Sequence, residues 1–231
     1  MQFINPKIDY AFKKIFGSEQ SHDILISFLN ALLYDGKPTI QDLEIIAPYL
    51  APKIRGIKNS YVDVKATIKD TSDRTSSVII EMQVLNVEGF ENRILYNAAK
   101  ADPGQLIIDN DYTDLEPVIA LTITDFEMFP VLEQSISHFI LKDKIYLTDY
   151  PIYDIELVFV ELPKFRKELA ELETLTDKWI YFIKSARKLD SIPLVMQTVP
   201  EISQAFELAK EANMTPEELA DLDRQGQKIW I

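Results

Sequence analysis

The sequence predicts an α/β fold, a central mixed sheet flanked by helices, and three stretches carry that prediction. Residues 61–69 and 76–84 read as two strands separated by residues 70–75, a polar run without an apolar residue, so they form an antiparallel hairpin. Residues 88–105 then place Phe90, Ile94, Leu95, Ala98 and Ala99 at helical spacing. Residues 117–124 are nearly continuously apolar, as in a strand buried on both faces. A strand reached through a helix implies a crossover connection, which adds parallel pairing to the antiparallel hairpin.

From the start of the chain, Ile8, Ala11, Phe12, Ile15 and Phe16 predict a helix over residues 7–16, stopped at Gly17. Asp9 and Lys13, four apart, share one of its faces as an ordinary helical ion pair worth about 0.2–0.5 kcal/mol. Ser21 is the expected N-cap of a second helix carrying Ile24, Leu25, Phe28, Leu29, Leu32 and Leu33, ended by Asp35-Gly36-Lys37-Pro38. A short strand is expected at residues 43–46. The loop 48–60 is basic through Lys53, Arg55 and Lys58. Further strands are expected at 135–141 and 155–162, with His138 and His22 read as structural or exposed. From Lys164 onward the pattern is helical: a long amphipathic stretch from Phe165 to Ile183, a second helix through Ile202, Phe206 and Ala209, and a start at Thr215-Pro216-Glu217-Glu218. The expected division is a sheet-containing domain over 1–163 and a helical extension over 164–231, which either packs on the core or mediates homodimerisation.

Composition narrows the function classes. At 231 residues, 47% hydrophobic and 26% charged, the chain suits a globular domain with a substantial core. Without cysteine it has no disulfide framework, thiolate metal site or catalytic thiol. No apolar run approaches a membrane span, so a soluble, cytoplasmic protein is expected. The net charge of -13 argues against a general nucleic-acid-coating protein. It leaves room for an enzyme with an acidic, cation-binding centre and a local basic contact face.

The candidate chemistry lies in the hairpin. Alternation groups Asp63 and Lys65 with Tyr61 and Thr67, and sends Val62, Val64, Ala66 and Ile68 to the other face. On the second strand Glu81 and Gln83 share a face with Ile79. Charged groups in a Val/Ile-rich strand are costly to bury without a partner, and Mg²⁺ is one such partner through oxygen ligands. The same alternation also describes a sheet with one wet face, in which these residues are simply solvated. On the following helix Arg93 and Lys100 lie two turns apart with Tyr96 between them, either a phosphate-contacting face or a solvated one.

Asp63 followed by the hairpin and Glu81-Met82-Gln83 resembles the PD-(D/E)XK nuclease signature. The wording around it is similar to the Rpn-type recombination-promoting nucleases, also called PD-(D/E)XK family transposases. That wording comprises Asn5-Pro6-Lys7-Ile8-Asp9-Tyr10-Ala11-Phe12-Lys13-Lys14-Ile15-Phe16-Gly17, Leu29-Asn30-Ala31-Leu32-Leu33, then Arg93, Tyr96, Ala99-Lys100, Gln105-Leu106 and Pro117-Val118-Ile119 leading to Thr124-Asp125-Phe126. The resemblance implies a restriction-endonuclease-like core and a DNA endonuclease dependent on Mg²⁺ or Mn²⁺ and associated with recombination. Asp63 and Glu81 would hold the cation, with a backbone carbonyl near Met82. Glu44 is the candidate third acid, on the element before Asp63, and the helix of Asp9 and Lys13 would form the edge of the site. Arg93, Tyr96, Lys100, Lys53, Arg55 and Lys58 are the candidate DNA contacts. The signature's usual lysine is replaced by Gln83, whose amide orients a water but carries no positive charge. Either the Glu-x-Gln form suffices or a displaced lysine serves, Lys65 being the candidate on the same strand. Pro103-Gly104 departs from the smooth helix expected in the family. Two other classes stay open: a weakly active or inactive DNA-binding module, and a structural protein whose helical third binds a partner. A two-carboxylate glycosidase is disfavoured for want of an aromatic sugar platform.

Overall fold

The computed structural model describes residues 2–46, 49–50, 60–101, 116–150 and 155–220. Two helices, α1 (Asp9–Phe16) and α2 (His22–Leu33), precede β1 (Ile40–Ile46) and the short pair β2 (Tyr49–Leu50) and β3 (Ser60–Tyr61). Then follow β4 (Val64–Asp70), β5 (Thr75–Gln83), α3 (Phe90–Ala101), β6 (Val118–Thr124), β7 (Ile136–Phe139) and β8 (Ile155–Glu161). Helices α4 (Leu175–Ser185), α5 (Leu194–Gln197) and α6 (Pro200–Leu208) follow.

Six strands form one mixed sheet in the order β1-β4-β5-β6-β8-β7. The hairpin β4–β5 and the flanking pairs β1–β4 and β7–β8 are antiparallel, while β5–β6 and β6–β8 are parallel. Every residue of β6 is buried. Ile119, Leu121 and Ile123 enter the main core, and Val118 and Ala120 enter a second cluster with Ile79, Ala98 and Ala101 under α3. The continuous apolar run is therefore the sheet's centre, with α1, α2, α4 and α6 over one face and α3 over the other.

The hairpin turn is built by Asp70, whose Oδ1 accepts the N–H groups of Ser72 at 2.7 Å and Arg74 at 3.1 Å, while Asp73 takes φ 61°. At the end of α2 the chain reverses through Asp35 (φ 53°) and Gly36 (φ 77°), and the Gly36 N–H returns to the Asn30 carbonyl at 2.9 Å. Ser21 precedes α2 as expected but makes no side-chain cap; its hydroxyl pairs with that of Ser18 at 2.6 Å.

Two expectations need correction. The stretch from Phe165 to Ile183 is not one helix. Three-residue 3₁₀ turns at Leu162–Lys164 and Leu169–Glu171 come first, and α4 starts only at the reciprocal cap of Thr174 and Asp177. Phe165 and Leu172 are buried all the same, so apolar spacing reported burial without a continuous helix. The face assignment of Val62 is the second. The chain leaves strand geometry at Val62 and Asp63 between β3 and β4, so Val62 joins the cluster under α3 while Val64 enters the main core.

The segment after residue 163 shares the main core with the sheet. Trp179 and Phe182 of α4 and Phe206 of α6 are fully buried, and Trp179 packs edge-on to Phe28 at 5.4 Å between ring centroids. Among the described residues no helix is long and apolar enough to cross a membrane.

Candidate active site

The parallel strands β5 and β6 end side by side, with Glu81 opposite Thr122 and Gln83 opposite Thr124. Crevices at the carboxyl ends of such strands are where open α/β sheets place their chemistry. Asp63 comes to the same place from the irregular step before β4. Its N–H donates to the Ile80 carbonyl, and its Oδ2 accepts the Met82 N–H at 2.7 Å. The irregular step that misplaced Val62 is thus the device that swings Asp63 to the strand carrying Glu81.

Helix α1 supplies the rest of the acidic cluster. Lys13 Nζ lies 2.5 Å from Asp9 Oδ1 and 3.4 Å from Asp63 Oδ1. Burial is the main cause that pushes the Asp63 carboxyl up to about 8; a hydrogen bond with Asp9 and the charge of Glu81 add to it, and the Met82 N–H only partly opposes. Burial also pushes Asp9 up, but its hydrogen bonds with Asp63 and Lys13 prevail and leave it below the usual carboxylate range. For Lys13, burial works against the charge, yet Asp9 and Asp63 outweigh it and hold the ammonium above its ordinary value.

Glu81 Oε1 accepts from Arg93 Nη2 at 2.6 Å, while Oε2 is buried without a hydrogen-bond partner. Burial raises its pKa against the opposing charges of Arg93 and Lys13. Behind it lies a cavity of about 10 Å³ bordered by Glu81, Asn97, Thr122 and Ile94, room for about one water. The same Nη2 of Arg93 donates to Gln83 Oε1 at 2.6 Å, and Gln83 Nε2 donates to the Leu85 carbonyl at 2.6 Å. Arg93 is steadied from below by the Phe90 ring, 5.0 Å from its guanidinium carbon. Along the same helix Lys100 lies over the Tyr96 ring at 5.6 Å, so Arg93, Tyr96 and Lys100 share one side of α3.

The predicted residues divide clearly. Asp63, Glu81, Gln83 and Arg93 converge; Lys65 and Glu44 do not join them. Lys65 stands opposite Ile79, and among the described residues no carboxylate lies within ion-pairing distance of it. Burial lowers its pKa. Glu44 is exposed on β1 opposite Thr67, two strands and four residues from Glu81, roughly 16 Å by strand geometry. Lys53, Arg55 and Lys58, the side chain of Tyr61 and residues 102–105 lie outside the described residues. His138 has a partner that sequence did not reveal, Glu156 at 2.7 Å across β7–β8, and His22 bonds Asp23 and Asp42. Sequence reasoning left Asp9 and Lys13 at the site's edge as a helical pair; the structure puts Lys13 against Asp63 itself. Their sequence signals were the four-residue spacing and the resemblance carried by their helix, and neither aims Lys13 at Asp63.

Among the described residues no group of three or more His, Asp or Glu side chains forms a ready-made metal cage. The donor chemistry nevertheless suits a hard cation. Two carboxylates converge, one with an orphaned buried oxygen and the other forced by burial to hold a proton, and a divalent ion relieves both conditions. The model of the PD-(D/E)XK nuclease family transposases matches residues 6–230. No curated protein and no solved structure matches the chain.

Proposed function

We propose that this chain, which belongs to the PD-(D/E)XK nuclease family transposases, is an endonuclease that hydrolyses DNA phosphodiesters with Mg²⁺ or Mn²⁺ and acts in DNA recombination. The observation that carries this reading is the convergence of Asp63, tied to the Met82 N–H, with Glu81 and its unpartnered Oε2 at the ends of β4 and β5. Asp63 and Glu81 would hold the cation, together with a main-chain carbonyl of the strand. When bound, such an ion lowers the pKa of a water and stabilises charge developing on the phosphate.

The chain's own groups do the rest. Gln83, clamped between Arg93 and the Leu85 carbonyl, presents a fixed amide that orients the attacking water. Arg93, Tyr96 and Lys100 form a face along α3 for the sugar-phosphate backbone; Arg93 supplies a planar two-pronged donor for phosphate oxygens. Because Gln83 carries no charge, a lysine is left to supply it, either Lys65, which stands on β4 opposite Ile79, or Lys13 of α1, 3.4 Å from Asp63.

Supercoiled plasmid incubated with Mg²⁺ or Mn²⁺ tests the reading. Nicking or linearisation that needs the metal and disappears in Asp63→Ala and Glu81→Ala supports it; equal cleavage by the variants refutes it. One observation favours a second reading, a DNA-binding module of weak or no activity: Arg93 already pairs with Glu81, and Lys13 already stands 3.4 Å from Asp63, where a cation would bind. Metal-dependent retention of DNA without product selects that alternative.

A further inference from the structure

Four features of α1 bear on the missing positive charge. Lys13 Nζ sits between Asp9 Oδ1 at 2.5 Å and Asp63 Oδ1 at 3.4 Å, and its charge is felt at Glu81. Its side chain remains 40% accessible, so it meets both the carboxylates and an incoming substrate. The helix has no freedom to turn it away: Ala11, Phe12, Ile15 and Phe16 are all buried in the main core. On its far side Tyr10 Oη and Lys14 Nζ both donate to Glu218 Oε1 at 2.6 Å, so a segment from the end of the described chain clamps the helix in rotation. Lys65 has none of these relations; it stands opposite Ile79.

We infer that Lys13, reaching in from helix α1, is the catalytic ammonium that the Glu81-Met82-Gln83 triplet lacks, and that Asp9 is its positioning residue. The inference rests on the nuclease reading. In hydrolysis, the oxygen of water forms a bond to phosphorus, the bond from phosphorus to the leaving sugar oxygen breaks, the water gives a proton to solvent and the leaving oxygen takes one up. Lys13 exchanges no atom. It stands beside Asp63 as a fixed positive charge, steers the attacking water and offsets the negative charge that accumulates on the phosphate oxygens. Asp9, four residues earlier, holds the amine at that place when the substrate approaches. In the metal-free protein the same amine stands beside Asp63, so an added cation has to displace it there.

The test uses the full chain as Lys13→Met, Lys13→Arg and Lys65→Met, with cleavage of supercoiled plasmid in Mn²⁺ and, separately, Mn²⁺ binding without DNA by electron paramagnetic resonance. Lys13→Met is expected to cut about 10²-fold or more slowly, Lys13→Arg to keep part of the rate, and Lys65→Met to lose less than Lys13→Met. Mn²⁺ should bind Lys13→Met at least about threefold more tightly than the parent, because the competing ammonium is gone. Cleavage by Lys13→Met within about threefold of the parent, or a larger loss in Lys65→Met, overturns the assignment. So does unchanged or weaker Mn²⁺ binding, which marks Lys13 as a scaffold of the site. A parent that cuts no plasmid in any metal refutes the nuclease reading and with it the catalytic role. The binding arm then still reports whether Lys13 and a cation share Asp63.

Discussion

Met82 donates its backbone N–H to Asp63 Oδ2 at 2.7 Å, which fixes the carboxylate of one element to the strand that carries Glu81. The bond favours the ionised carboxylate, but it acts inside a largely buried site shared with Asp9 and Glu81. Burial prevails, and Asp63 titrates at about 8.

That imbalance predicts how metal-free stability depends on pH. The ordinary value of the group is 3.8, and the folded value is about 8. Between these limits the unfolded chain has released the proton that the folded chain retains, so unfolding releases a proton and stability falls as pH rises. In EDTA, the melting temperature should drop from pH 5 to pH 8. Asp63→Asn, which cannot ionise, should flatten that slope and be the more stable protein at pH 8. An unchanged slope in Asp63→Asn would assign the pH dependence to other groups.

Mn²⁺ should stabilise the folded chain through the orphaned oxygen of Glu81. A ligand that binds only the folded state stabilises it by about 2.7 kcal/mol at a hundredfold excess over its dissociation constant. The parent should therefore melt at a higher temperature as Mn²⁺ is titrated. Glu81→Gln keeps the shape and removes the anionic ligand, so its melting temperature should hardly respond. Differential scanning fluorimetry across a Mn²⁺ series distinguishes the two.

The legibility of this protein in its sequence follows the range of each signal. Period-two alternation and an unbroken apolar run are local, so the hairpin and the central position of β6 could be read directly. The meeting of Asp63 with Glu81 could be anticipated from the hairpin, but not the irregular step at Val62 and Asp63 that produces it, because alternation assumes regular pairing. Alternation gives a face and no distance: it set Lys65 beside Asp63 on one side, whereas the step at Asp63 parts them. Lys13 was only half legible for the opposite reason: the resemblance set its helix at the edge of the site but gave it no partner there. A four-residue acid–lysine spacing looks alike on any solvated helix, and only the packing of α1 on the sheet aims it at Asp63. His138 likewise finds Glu156 only through the register of β7 and β8.

Arg93 should prove to be part of the site's stability as well as of its contact face. It donates from one nitrogen to both Glu81 and Gln83. Arg93→Met leaves the buried Glu81 carboxylate without its countercharge, at a cost of about 1–3 kcal/mol for an unsatisfied buried group. The loss should shrink as pH falls and Glu81, already raised by burial, takes up a proton. In urea unfolding, Glu81→Gln combined with Arg93→Met should recover much of the loss. Simple additivity of the two single substitutions would deny the coupling.

The helical third of the chain should be indispensable to the fold of the sheet. Trp179 is 0% exposed, packs on Phe16, Phe28 and Phe182, and donates its indole N–H to Ser27 Oγ at 3.1 Å. Phe16 and Phe28 belong to the two helices that lead into the sheet, so α4 fills a core begun at the other end of the sequence. Trp179→Ala should cost about 3–5 kcal/mol, as deletion of a large buried ring does. Removing residues 164–231 goes further: it uncovers α1 and α2, and with them the helix that holds Asp9 and Lys13 against Asp63. Residues 1–163 alone should lack near-ultraviolet circular dichroism and a cooperative melt. A sharp transition in that fragment would instead make the first 163 residues an independent domain, and α4 to α6 a separable cover on it.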